Sequence, residues 1–344
     1  MTKLGWMITN STQNIGDDFQ CIAARQFIGD IPPKRWIDRE KMNSYLGEDI
    51  RLIANGWYMH EPLNWPPSPN IIPLMTSIHI SNTKQKNGRV PSQYMLSKKS
   101  VQYLKKYTPI GGRDTFTVKE LKKAGIKAYF SGCLTMTLKR YSGERKDYVC
   151  LIDPTNELEQ FIRQRTNREI VVVYPEKNDW PQNYEKRIKK AEELLKVYSE
   201  AHLVLTGRLH GALPSLAMKT PVLLLEGKFG DERFEGLKYF VNLCTTSDLY
   251  SGKYPLDIEH PRSNPEEYFV LRKNLKKIVN AFANDKLDMI DFDKINKENL
   301  AALSKARKRT IQFNKKNHLE SIWVREFKSK IRFSIRTIEN MRRG

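Results

Sequence analysis

The stretch Ala201-His202-Leu203-Val204-Leu205-Thr206-Gly207-Arg208-Leu209-His210-Gly211-Ala212-Leu213-Pro214 decides how this chain folds. Residues 202–205 are a short apolar run of the kind found in buried parallel strands. Residues 209–218 read as a helix, and Pro214 places its first turn, where a residue without an N–H costs nothing. Arg208 and His210 then stand at the carboxyl edge of a strand and the amino end of a helix. Doubly wound sheets bind ligands at that edge. A helix amino end offers free N–H groups and a positive dipole end, suited to phosphate or carboxylate. Arginine adds a planar two-pronged donor, and histidine can give or take a proton near neutral pH. The plainer alternative is a structural ion pair for Arg208 and a satisfied core position for His210. The strand–Arg–x–His–Gly–helix arrangement favours the functional reading.

The alternation extends on both sides. Residues 148–152, 169–174 and 221–225 read as strands, and 156–165, 184–199 and 234–243 as helices. Upstream, residues 6–8 form a short strand, and Asn14-Ile15-Gly16-Asp17 turns into a helix through Phe19, Ile22, Ala23 and Phe27. Buried strands follow at 51–54 and 71–80, around a proline-rich loop. Residues 101–107 are helical, and 108–114, Arg113-Asp114 included, form a strand ending in a glycine-containing turn. Thr117-x-x-Glu120 reads as a capping box for a helix over 118–124, with a strand at 127–130. Apolar strands alternating with helices imply parallel sheets covered on both faces. The expected organisation is two tandem Rossmann-like domains, 1–145 and 146–285, meeting at a cleft, then a basic helical extension over 286–344.

Composition narrows the classes. Apolar residues make up 40% and charged residues 28%, which suits a packed globular chain. Trp6 and its neighbours do not resemble a signal peptide. No apolar run approaches a membrane span. A cytoplasmic protein, bound to a membrane at most at its surface, is expected. The cysteines Cys21, Cys133, Cys150 and Cys244 are scattered, pointing to reduced thiols. The six histidines show no metal-ligand spacing, so neither a metal nor another cofactor is expected. The net charge is +20, and half of it lies in residues 305–344, where 13 Lys/Arg face 3 Asp/Glu. Such a field favours anionic partners.

Three motifs in order carry a family resemblance. Thr206-Gly207-Arg208-Leu209-His210-Gly211, followed by Lys219-Thr220-Pro221, resembles the R-x-H-G…P signature of polysaccharide pyruvyltransferases. Asn14-Ile15-Gly16-Asp17 resembles the family's N-x-G-D turn, and Arg113-Asp114 its central R-D motif. The resemblance covers roughly residues 5–245. It implies a glycosyltransferase-B-like fold of two Rossmann domains, with phosphoenolpyruvate in the cleft as co-substrate and a sugar as acceptor. Carried over, Arg113 and Arg208 would hold the donor's phosphate and carboxylate, helped by the Leu209 backbone, and His210 would be the general acid. Gly111-Gly112 before Arg113 departs from the bulkier residues common in relatives. Asn14, Gly16 and Asp17 are candidates for acceptor binding, against a plain helix start. Lys228 is a candidate loop residue at a strand edge, against a solvated lysine.

Two rivals remain. A nucleotide-sugar glycosyltransferase would share the architecture, with Glu226 as its ribose-binding carboxylate. A catalytically dead protein docking anionic glycan or nucleic acid would need only the charge. In the tail, Leu319, Ile322, Trp323, Phe327, Ile331, Ile335 and Ile338 share one helical face, with basic residues mainly off it. That helix could pack on the body, lie on an anionic membrane beside lipid-diphosphate-linked sugars, or bind nucleic acid, the least favoured of the three.

Overall fold

The computed structural model describes residues 2–10, 12–85, 87–176, 180–181, 183–226 and 231–319. Two all-parallel sheets organise them. The first contains β1 (Lys3–Ile8), β2 (Trp36–Asp38), β3 (Ile50–Tyr58), β4 (Ile71–Ile80), β5 (Ile110–Gly112) and β6 (Ala128–Phe130), with helices α1 (Gly16–Arg25), α2 (Pro91–Met95), α3 (Lys98–Lys105) and α4 (Thr115–Lys123) between them. The second contains β7 (Tyr148–Ile152), β8 (Glu169–Val173), β9 (Leu203–Thr206), β10 (Val222–Glu226) and β11 (Asn242–Thr245), with α5 (Asn156–Arg163), α6 (Tyr184–Glu200), α7 (Leu209–Ala217) and α8 (Thr246–Tyr250). Helices α9 (Tyr268–Ala283) and α10 (Phe292–Lys316) follow.

The strand orders are β2-β1-β3-β4-β5-β6 and β11-β10-β9-β7-β8. Counted from its own first strand, each sheet runs 2-1-3-4-5 across, and the first adds a sixth strand. In both, the chain crosses one way after the first strand and the opposite way after the third. Connections diverge there and leave a crevice at the carboxyl ends, between β1 and β3 and between β7 and β9.

Burial explains why these runs are strands. Every residue of β7 and β9 is buried, as expected of Val/Leu/Ile runs covered by helices on both faces. The largest apolar cluster joins both halves: Trp6, Phe19 and Ile22 pack in it with Tyr184, Tyr198 and Leu213. A buried ion pair, Arg187 Nε to Asp18 Oδ2 at 2.7 Å, ties α6 to α1. Helix α9 adds a clamp: Arg272 donates to the carbonyls of Met136, Leu138 and Ala217. Helix α10 returns to the first sheet, where Asn296 and Asn299 satisfy the outward N–H and C=O of Phe130 on edge strand β6. Side chains so placed close an edge that would otherwise invite pairing.

Several expectations need correction. Pro214 lies inside α7, at its sixth residue. Its missing N–H therefore leaves the His210 carbonyl without its usual helical partner. The helix expected over 234–243 is two short 3-10 turns followed by β11. That strand pairs Leu223 to Asn242 through Glu226 to Thr245. Short apolar runs do not separate helix from strand by periodicity. The capping box at Thr117 is displaced: Asp114 caps α4, its carboxylate accepting from Thr117 N at 2.8 Å. Loss of that cap should cost about 1 kcal/mol. All four cysteines are buried, and none of them forms a disulfide. No helix among the described residues is long and apolar enough to cross a membrane. The basic stretch 305–344 is described through Leu319; its first part belongs to α10, with Ala306, Thr310 and Asn314 buried. The amphipathic face beyond Leu319 lies outside the described residues.

Candidate functional site

The carboxyl ends of both sheets open on one cavity of about 710 Å³. From the first sheet come the turn after β1 and the start of α1 (Asn14, Gly16, Asp17), the end of β3 (Trp57, His60) and Arg113 after β5. From the second come Asp153, Glu176, the Gly207–Gly211 turn into α7, and Asp231 and Arg233 after β10. The cavity thus gathers Asn14, Gly16, Asp17, Arg113, Arg208, Leu209 and His210. Lys228 lies outside the described residues, as does the side chain of Glu226.

The two helix amino ends meet here. Ile15 N donates to Pro175 O at 3.0 Å, joining the halves beside the cavity. A Cβ on Gly16 would lie 3.0 Å from His210 Cβ and 3.2 Å from its Nδ1, so glycine lets α1 and α7 approach. No side chain caps α7. The first N–H groups of such a helix, at Leu209 and His210, have no helical acceptor.

His210 is half-buried, with Nε2 3.8 Å from Cys133 Sγ, a long thiol contact. Burial, then the nearby positive charges of Arg113 and Arg233, lower its pKa from 6.5 to about 3 against the opposing pull of Asp17. The imidazole is therefore neutral at pH 7. The linkage has a definite sign. Between its ordinary and folded values the unfolded chain takes up a proton that the folded protein refuses, so stability falls as pH drops through that window. His210→Gln should lose this component. Urea unfolding at pH 6.5 and pH 4.5 should show the wild type losing more stability than the variant, by up to about 1 kcal/mol per pH unit.

Arg113 is nearly sealed, at 2% exposure, yet its contacts are long. Nη1 donates to Gln20 Oε1 at 3.3 Å, and Nε stands 3.5 Å from Asp114 Oδ2 without a hydrogen bond. A buried cation so loosely held gains from an arriving anion. Asp114 is engaged elsewhere, 2.7 Å from His79 Nδ1. Arg208 differs: Nε donates to Asp153 Oδ2 at 2.6 Å and Nη1 to Glu176 Oε2 at 2.8 Å. Burial opposes its charge, but these carboxylates outweigh that and raise its pKa. Arg233 is gripped by Asp231, which raises its pKa despite burial.

Asp17 is buried, and Gln20 donates to it at 3.1 Å. Burial alone would raise its carboxyl, but the Arg39 guanidinium, helped by a hydrogen bond with Thr12, holds it below the ordinary range. Asp153, Glu176, Arg233, Trp57 and His60 were not among the residues expected from sequence. Asp153 follows directly on β7 and could have been found from that position alone.

Two parallel sheets closing on a cavity lined by three arginines and two histidines define an α/β enzyme of the cleft type. The family model for polysaccharide pyruvyl transferase matches residues 14–228, well over half of the chain. The chain belongs to the polysaccharide pyruvyl transferase family and is a transferase. No curated protein matches it.

Proposed function

We propose that the protein transfers a pyruvyl group from phosphoenolpyruvate to a sugar diol, forming a cyclic ketal during cell-surface glycan synthesis. The observation that carries this reading is the placement of His210 near Arg113 and Arg233 in the cavity that Arg208 also lines. In the proposal, Arg113 receives one anionic group of the donor. The N–H groups at Leu209 and His210 receive another. Arg208 joins once the donor's charge competes with Asp153 and Glu176.

Burial first, and then the positive field of Arg113 and Arg233, hold His210 neutral; anion binding offsets the second of these, so its proton affinity rises as the donor enters. Protonated His210 gives its proton to C3, making C2 electrophilic. One hydroxyl oxygen bonds to C2, the C2–O bond to phosphate breaks, and the second hydroxyl closes the ketal. Of the two hydroxyl protons, one restores His210 and the other leaves with hydrogen phosphate. Fixed cationic groups stabilise the departing phosphate. The architecture fits a glycosyltransferase-B-like arrangement with the donor against the second sheet. Residues 305–344 would hold the protein at the inner face of an anionic membrane, near lipid-diphosphate-linked acceptors.

The test is calorimetric titration of phosphoenolpyruvate at pH 7 in two buffers of different ionisation enthalpy. Binding should take up about one proton, by the shift argued above. Thermal stabilisation by a UDP-sugar with none by phosphoenolpyruvate would overturn the assignment.

A further inference from the structure

The cavity is larger than the proposed donor requires. Phosphoenolpyruvate is far smaller than the drug-sized ligands that cavities of this volume enclose. Two crevices feed it. Asp153 and Arg208 follow β7 and β9 at the second, with His210 on the adjoining helix. The first, between β1 and β3, presents Asp17, Trp57 and His60, and pyruvyl transfer as described above uses neither Trp57 nor His60.

The end of β3 is built unlike a plain strand. Its pairing with β4 shifts register between Ala54 and Gly56, and Gly56 has φ +120°. Such a bulge re-aims the side chains that follow. Tyr58 and Met59 are fully buried, whereas Trp57 and His60 are half-buried and line the cavity. Their rings lie 4.6 Å apart, tilted by 46°. His60 Nε2 is buried and has no hydrogen-bond partner among the described residues. A buried polar atom left so is costly unless a ligand satisfies it.

We propose that Trp57 and His60 form the acceptor subsite, and that it takes a pyranoside which lays its C–H face on the indole and turns a diol toward Asp17. This rests on the pyruvyl-transfer reading. A sugar ring's C–H bonds carry slight positive charge, and an aromatic face is negative. Hydroxyls on the ring's edge can satisfy His60 Nε2. The Asp17 carboxylate, held ionised beside Arg39, accepts a hydrogen bond from the attacking hydroxyl.

The experiment uses the full chain with methyl glycosides of galactose, mannose, glucose and N-acetylmannosamine, each carrying a free 4,6-diol. Acceptor KM and kcat are measured for wild type, Trp57→Phe and Trp57→Ala, with the phosphoenolpyruvate Kd taken separately by calorimetry. Trp57→Ala should raise the KM of the preferred glycoside by about tenfold or more, and Trp57→Phe by less than about threefold. The donor Kd should stay within about twofold of wild type in both. An unchanged acceptor KM in Trp57→Ala overturns the subsite, as does equal weakening of donor and acceptor. Failure of all four glycosides to accept pyruvyl while the donor binds overturns the pyranoside assignment. UMP competing with the acceptor, and losing affinity in Trp57→Ala, would make the indole a nucleobase platform instead. If the wild type binds no phosphoenolpyruvate, the transfer reading falls first and the subsite falls with it.

Discussion

His210→Gln should lower kcat for phosphate release from phosphoenolpyruvate by about 10²–10⁴-fold, while the donor Kd changes only a few-fold. Glutamine keeps the side chain polar and of similar reach, but it cannot deliver a proton to carbon. A thousandfold loss corresponds to about 4 kcal/mol of barrier, within the range of a lost general acid. The free protein holds this imidazole neutral, with pKa about 3, so the acid must be made by the donor itself. Burial first, then positive neighbours, disfavour the imidazolium, and a multiply charged anion beside Arg113 offsets the second of these. Two further outcomes follow from the same argument. The wild-type pH profile of kcat should fall on the alkaline side with an apparent pKa well above the free-enzyme value, and the variant should lose that limb. Proton uptake on donor binding should vanish in the variant. A variant turning over at the wild-type rate would remove His210 from the chemistry, whatever the binding data say.

The sequence revealed most where one physical cause acts alone. Residues 148–152 and 203–206 are runs of buried aliphatic side chains, and a strand covered on both faces leaves little else for them to be. The motif Arg208-Leu209-His210 was readable because a strand end, a helix start and two chemically apt side chains coincide within a few residues, and its resemblance to the family agrees with the match over residues 14–228. Legibility failed where partners come from far along the chain. Nothing local at Arg208 announces Asp153 and Glu176, which lie 55 and 32 positions away. Those two carboxylates turn an expected free anion clamp into an arginine already engaged. Strand β11 was read as helix because Val241 and Leu243 suit either period, and only pairing with β10 decides between them. Trp57 lies beyond the strand expected over 51–54, and the bulge at Gly56 that presents it to the cavity is a property of the pairing with β4.

Gly16→Ala should separate activity from stability, and it probes the contact on which the site's geometry depends. Gly16 does not adopt a positive φ, so its backbone makes no demand for glycine. Alanine is the better helix former by about 1 kcal/mol in a helix interior, and some of that gain applies at the start of α1. The obstacle is space. The added methyl would lie 3.0 Å from Asn14 Oδ1 and 3.0 Å from His210 Cβ, with Nδ1 at 3.2 Å. One side must move by a few tenths of an ångström. The amino end of α1 is tied to the second half, where Ile15 N meets Pro175 O, so the imidazole is expected to be displaced relative to Arg113. A misplacement of about 1 Å can cost about 10²-fold, so kcat should fall by about ten- to a hundredfold while the unfolding midpoint stays close to wild type. The imidazole proton and nitrogen resonances of His210 should shift in the same variant. Adding Asn14→Ala removes one of the two close contacts and leaves that with His210, so the double variant should not regain activity. Full activity in Gly16→Ala, or recovery on relieving Asn14 alone, would show that the approach of α1 to His210 plays no part in catalysis.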